Sequence, residues 1–324
     1  MNRIGLTTTV PMEIIYAANK IPVDLNNLFI GDPQPQALIE EAELIGFPRN
    51  VCSWIKGLYS TALKYDLKAV MAVTQGDCSN THALMETWQL LGIEVIPFAF
   101  PFDRDYDLLK LQLEKIMDVW GVSWPEVKIQ QERLNQVRSL IRKIDTLTWR
   151  ENQVQGWENH LWLINCSDFQ GQPEAFAAQA QEFIREAEQR KPFKNQIRLG
   201  YLGVPPIMDD LYAYLEERGG RVVYNEVQHQ FAMLNQEQDL VEQYRNYTYP
   251  YGIFFRLEAA LPELQKRRVD GIIHYAQSFC YRQIEDIIVR QKVDCPVLTL
   301  EGDSPNRLDA RSKMRIDSFL EMLR

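Results

Sequence analysis

No two cysteines of this chain stand at C-x-x-C spacing, and it holds only four histidines, none adjoining a cysteine. A zinc ribbon, a thioredoxin-like dithiol and a ferredoxin-type cysteine run are therefore unsupported, and a mixed Cys/His zinc site is weak. Five cysteines in 324 residues is an odd number, which suits a reducing compartment better than a disulfide framework. No run of about 18 apolar residues is present. The stretch Met1 to Thr7 lacks the apolar core and cleavage site of a signal peptide, so a cytoplasmic protein with no membrane partner is expected. Beyond Lys266-Arg267-Arg268 there is no basic block, and the net charge of -9 argues against a nucleic-acid partner. Neither a G-x-G-x-x-G nor a P-loop occurs. The closest segment, Gly200 to Pro206, reads as a tight βα turn, so an ATP-dependent step would have to come from a partner.

What is present is an ordinary globular composition, 46% hydrophobic and 24% charged, in a chain long enough for two cores. Apolar runs at 69–73, 93–98, 197–202, 221–224, 271–275 and 296–300 read as buried strands, and 53–64 and 79–91 read as helices. Strands alternating with helices imply right-handed crossovers and parallel sheets. The expected organisation is an N-terminal α/β lobe over 1–122 with Cys52 and Cys78, a helical linker over 123–195, and a C-terminal α/β lobe over 196–324 with Cys280. In the linker, Leu134, Val137, Ile141 and Ile144 have helical spacing. A merely solvated connector fits that stretch equally well.

An internal repeat is more informative. Residues 70–78, ending Gln75-Gly76-Asp77-Cys78, align with residues 272–280, ending Gln277-Ser278-Phe279-Cys280. The same displacement carries Val95-Ile96 onto Val297-Leu298. Each repeat places a cysteine at the carboxyl end of a parallel strand and ahead of a helix, where open α/β sheets put their ligands. A lone cysteine is more often a small core residue than a ligand. Position favours the ligand reading here, because Cys78 lies in a polar loop and Cys52 and Cys280 start helices, whose N-termini favour thiolate over thiol. The three are suited to a soft metal. Cys295 aligns with Ile93 and reads as inert, while Cys166 remains ambiguous.

With these residues placed, the chain resembles the 2-hydroxyacyl-CoA dehydratase family, which includes benzoyl-CoA reductase subunits and double-cubane cluster proteins. The matching segments are Thr7-Thr8-Thr9-Val10-Pro11-Met12-Glu13 with Ala17-Ala18, Asp24-Leu25-Asn26-Asn27, Cys52-Ser53-Trp54-Ile55-Lys56, Gly76-Asp77-Cys78, Phe279-Cys280, Pro296 to Asp303 and Arg315 to Phe319. The resemblance implies two flavodoxin-like (Rossmann-like) lobes and a [4Fe-4S] cluster on Cys52, Cys78 and Cys280, with one iron left open. It also implies an ATP-dependent activator with its own iron-sulfur cluster, a homologous subunit as homo- or heterodimer partner, and an acyl-CoA-type substrate. One-electron reduction of the thioester carbonyl would give a ketyl that expels the adjacent hydroxyl and makes the β-proton removable, which ordinary base catalysis cannot do. Glu13 and Asp77 are expected as catalytic groups, with Thr8, Ser53, Trp54, Gln75, Gln277 and Glu301 as further contacts. The chain is short for a catalytic subunit of that family, and its five cysteines cannot supply six thiolates. Two other readings stay open: a non-catalytic cluster-carrying or electron-relay partner of a homologous subunit, and a two-lobed small-molecule binder with structural cysteines.

Overall fold

The structure, a computed structural model, describes residues 3–194, 196–235 and 237–324. Among them, β1 (Arg3–Leu6), β2 (Ile21–Asp24), β3 (Ala69–Gln75) and β4 (Glu94–Ala99) form one sheet in the order β2-β1-β3-β4. A second sheet joins β5 (Ile197–Gly203), β6 (Gly220–Asn225), β7 (Gly271–Gln277) and β8 (Val297–Gly302) in the order β6-β5-β7-β8. Every pairing is parallel. The fold is thus α/β with two flavodoxin-like sheets, as the alternation of strands and helices implied.

The central strands explain themselves. β7 is buried along its whole length and β3 over its first five residues, because helices cover both faces of a parallel sheet and a continuous apolar run is needed. Pro22 and Pro97 sit in β2 and β4, the two edges of the first sheet, where a missing ladder donor is tolerated. The repeat is exact in register: Val70 pairs with Val95 and Ile272 with Val297, related by the displacement that takes Cys78 to Cys280.

By contact, the chain divides into two compact units, each discontinuous in sequence. The first comprises Met1–Ser139, Asn165–Ala177 and Phe231–Gly252, and the second Leu140–Ile164, Ala178–Gln230 and Ile253–Arg324. The stretch after residue 123 is helical, with helices Trp124–Trp149, Gly156–Ile164 and Pro173–Glu188 separated by the 3-10 turns Asn165–Ser167 and Phe169–Gly171. Leu134, Val137, Ile141 and Ile144 are buried, as their spacing required.

In the first unit the turns at 165–171 are fastened to β2 through two buried acids. Asp168 accepts from the backbone N–H groups of Asp24 and Gln170, both at 2.8 Å, while Asp24 caps the helix Leu25–Ile30 by accepting from Asn26 N–H at 2.8 Å. Burial, and then the Asp24 carboxylate, push the Asp168 carboxyl up to about 7. Burial also raises Asp24, against the hydrogen bonds it accepts.

A carboxyl raised above its unfolded value of roughly 4 stabilises the fold fully below that pH and loses its contribution as pH rises through 7. Urea midpoints of the wild type should therefore fall between pH 5 and pH 8, and Asp168→Asn should flatten that fall; an unchanged slope would show that Asp168 ionises freely in the fold. In the second unit Gly203 has φ +101, and an added Cβ would lie 2.2 Å from the Tyr275 carbonyl oxygen in the neighbouring strand. Gly203→Ala should cost more than about 2 kcal/mol in chemical denaturation, since the clashing atom is backbone and cannot swing aside. A loss under about half that would mean β5 can shift past β7.

Candidate cysteine-bearing site at the sheet edges

In each sheet the chain reverses winding direction beside its central strand pair, between β1 and β3 and between β5 and β7. In open α/β sheets that point, outside the carboxyl ends of the strands, is where ligands bind. In the first unit two loops meet at that edge: Thr7 to Pro11 after β1, and Gly76 to Ser79 after β3. Thr7 fastens the first loop to strand β3, donating its N–H to Met71 O at 3.3 Å and accepting from Val73 N–H through Oγ1 at 3.1 Å. Thr8 and Thr9 are buried. The Tyr247 hydroxyl faces both without a bond of regular geometry to either, and burial raises its pKa, the two threonines opposing and Asp77 adding to the rise.

Gly76 is where the Cys78 loop needs glycine. Its φ is +98, and an added Cβ would lie 2.5 Å from Pro250 Cβ and 3.2 Å from Phe100 Cβ. Phe100 in turn packs edge-on against Tyr247 and Tyr251, with ring centroids 5.7 and 6.1 Å away. The segment Tyr247-Thr248-Tyr249-Pro250-Tyr251 thus supports the loop carrying Asp77 and Cys78, both half-buried.

Cys52 is 7% exposed and is the N-cap residue of the helix Ser53–Lys64. It belongs to an apolar cluster with Leu25, Ile55 and Trp88, against which Cys78 also packs. The loop leading to it is held from inside by Lys56, a buried residue whose ammonium donates to Glu43 at 2.8 Å and to the Arg49 carbonyl at 3.4 Å. That bond to Lys56 keeps the Glu43 carboxyl below its usual range. Ser53 is buried in the first turn, and Trp54 packs edge-on against Phe29 at 5.4 Å.

In the second unit Cys280 is half-buried and begins a five-residue 3-10 turn, Tyr281–Glu285, which leads into the helix Asp286–Lys292. Its loop is fixed to β8 by Ser278 N–H to Gly302 O at 2.9 Å, and Cys280 N–H donates to Gln277 O at 3.2 Å. Gln277 is buried, accepting from Tyr275 OH and donating to Asp303, both at 2.7 Å. Glu301 is exposed and accepts from Ser278 Oγ at 3.1 Å. Behind the turn, the buried Arg256 grips Glu226 through two bonds of 2.8 Å and Glu285 through one of 2.6 Å. Burial alone would raise the Glu226 carboxyl, but the Arg256 guanidinium outweighs it and holds it low.

The expected residues therefore fall into distinct places. Thr8, Asp77 and Cys78 lie on the two loops of the first unit's edge, with Cys52, Ser53 and Trp54 at the head of a helix in the same unit. Gln277, Cys280 and Glu301 lie at the edge of the second sheet. Gln75 ends β3 with an exposed side chain. Glu13 is different. It is fully buried, with Oε1 taken by Arg138 at 2.8 Å and Gln243 at 3.1 Å and Oε2 by Tyr244 at 2.7 Å, an arrangement that fits an anchor for the loop after β1. Burial pushes the thiols of Cys166, in the core, and of Cys295, half-buried at the margin of the second unit's core, up, which suits unreactive cysteines. Arg256 and the 247–251 segment were not singled out from the sequence, and Lys56 appeared there only as the end of the matching segment that begins at Cys52, although the alternation of tyrosines in Tyr-Thr-Tyr-Pro-Tyr was a visible signal. Among the described residues, neither unit by itself holds three or more His, Cys, Asp or Glu side chains grouped to bind a metal ion. No helix among them is long and apolar enough to cross a membrane.

Two flavodoxin-like sheets, each followed at its carboxyl edge by a cysteine-bearing loop, define an α/β protein of two units. The chain belongs to the 2-hydroxyglutaryl-CoA dehydratase, D-component family, whose model matches residues 7–323. No curated protein matches it.

Gly76→Ala should destabilise the first unit by about 1–3 kcal/mol and speed alkylation of Cys78, because the added methyl must displace Pro250. Mass-spectrometric labelling of the apo chain tests this; unaltered Cys78 reactivity would show that the aromatic segment does not set the loop.

Proposed function

We propose that this chain is the cluster-bearing component of a 2-hydroxyacyl-CoA dehydratase-like radical enzyme, with Cys52, Cys78 and Cys280 as ligands of a [4Fe-4S] cluster. The observation that carries the reading is the repeat: β3 and β7 end in equivalent places, and a cysteine follows each, in a chain matching a dehydratase component over nearly its whole length. The donor set fits. All three side chains are thiols, no histidine adjoins them, and sulfur-only ligation suits an iron-sulfur centre better than a hard cation.

When bound, the cluster would supply a low-potential electron, received from an ATP-dependent activator, and an open iron for a substrate oxygen. The chain's own residues do the rest. Thr7 to Thr9 and the Gly76 loop shape the edge beside the switch point, and Asp77, half-buried there, is the residue placed to exchange a proton with an acyl-CoA-type substrate. Glu13, with both oxygens occupied, holds the loop after β1 in place. Its sequestration gives the alternative reading, a cluster-carrying or electron-relay partner of a homologous subunit, a specific footing, because it leaves Asp77 as the single expected acid at that edge.

Anaerobic iron and sulfide analysis tests the ligands. About four irons and four sulfides per chain are expected, with large losses in Cys52→Ser, Cys78→Ser and Cys280→Ser and full retention in Cys295→Ser; a wild-type chain without iron would end the reading. Asp77→Asn, with its cluster intact, should slow turnover by roughly 100-fold if Asp77 is a general acid or base. Undiminished turnover would favour the relay role.

A further inference from the structure

Phe279, the residue before Cys280, has φ +62. That left-handed conformation is strained for a bulky side chain and natural for glycine or asparagine. In the first unit the corresponding loop takes its left-handed step at Gly76. The phenyl ring does not compensate by filling the core, since Phe279 is 53% exposed. Surrounding contacts impose the strain: Ser278 N–H on Gly302 O, Cys280 N–H on Gln277 O, and Arg256 on Glu285.

The turn that follows is inside out. Arg282 and Glu285, its charged residues, face inward with side chains 9% and 13% exposed and pair with each other at 3.3 Å. Tyr281 and Ile284 face outward at 50% and 71% exposure. Residues three apart eclipse in a 3-10 turn, so these two share one side. An exposed aromatic ring held in strained backbone by an over-determined loop is a mark of function.

Resting on the cluster reading above, we propose that Phe279, with Tyr281 and Ile284 beside it, is the apolar wall that keeps water from Cys280 and the cofactor it would hold. The strain is retained because glycine or asparagine would satisfy the turn but leave the thiol wet. Phe279 is thus a positioning and shielding residue; it exchanges no proton or electron.

The test uses the full chain carrying F279G, F279N or F279L, read in two ways. In the apo protein, F279G and F279N should melt higher than wild type by roughly 2 °C as strain is released, while F279L should not. In the anaerobically loaded protein, decay of the cluster absorbance on exposure to air or a chelator should be about tenfold faster in F279G and F279N and near wild type in F279L, because a hydrophobic shell controls solvent access. Equal decay in wild type and F279G would overturn the proposal, as would a lower melting point for F279G, which would make the ring a support of the fold. A wild-type chain that takes up no iron would fail one step earlier, ending the cluster reading and this role with it.

Discussion

Parallel strands end on the same edge of their sheet, and in the order found here the chain must turn in opposite directions on leaving β1 and β3, or β5 and β7. The gap between those two exits is the place on each sheet where loops part and leave backbone and side chains accessible. Asp77 and Cys78 hang on one such exit, Phe279 and Cys280 on another. Each cysteine comes three residues after the end of its strand, so the turn that follows the strand, and not the pleat, sets where its side chain points.

Position alone does not present a thiol; the loop must also be rigid. Each cysteine-bearing loop is stiffened by a different device. Cys52 relies on a buried lysine that reaches back to the carbonyl three residues ahead of it, Cys78 on close packing between a glycine and Pro250, and Cys280 on a guanidinium shared by two glutamates. The two cations, Lys56 and Arg256, are buried and paired, so removing their carboxylate partners leaves an uncompensated buried charge, which is costlier than never having had the pair. Such loops keep their shape before any ligand arrives, and the ordering entropy of the site is met during folding.

Much of the fold was legible because six of the strands are apolar runs, and the repeat announced that β3–β4 and β7–β8 share a register. β1 and β2 were missed. They are four residues long, and Gly5 and Pro22 blunt their strand character. Cys78 and Cys280 could be paired in the sequence through the repeat, whereas Cys52 lies outside it and stood out only by its place ahead of a helix. The burial and partners of Glu13 were not legible, because a carboxylate near a helix start looks the same in sequence whether it faces solvent or Arg138, a partner 125 residues away. Lys56, Arg256 and the 247–251 segment share that limitation: their meaning lies in long-range partners that no local pattern encodes.

On the proposed reading, Cys52, Cys78 and Cys280 serve one inorganic centre. A crystal structure of anaerobically prepared protein, with iron located by its anomalous scattering, addresses it most directly. A single iron-sulfur cube bonded to those three sulfurs is expected, with Cys166 and Cys295 outside its coordination. Iron held by any other set of side chains, or sulfurs of the three cysteines bound to no common centre, would contradict it.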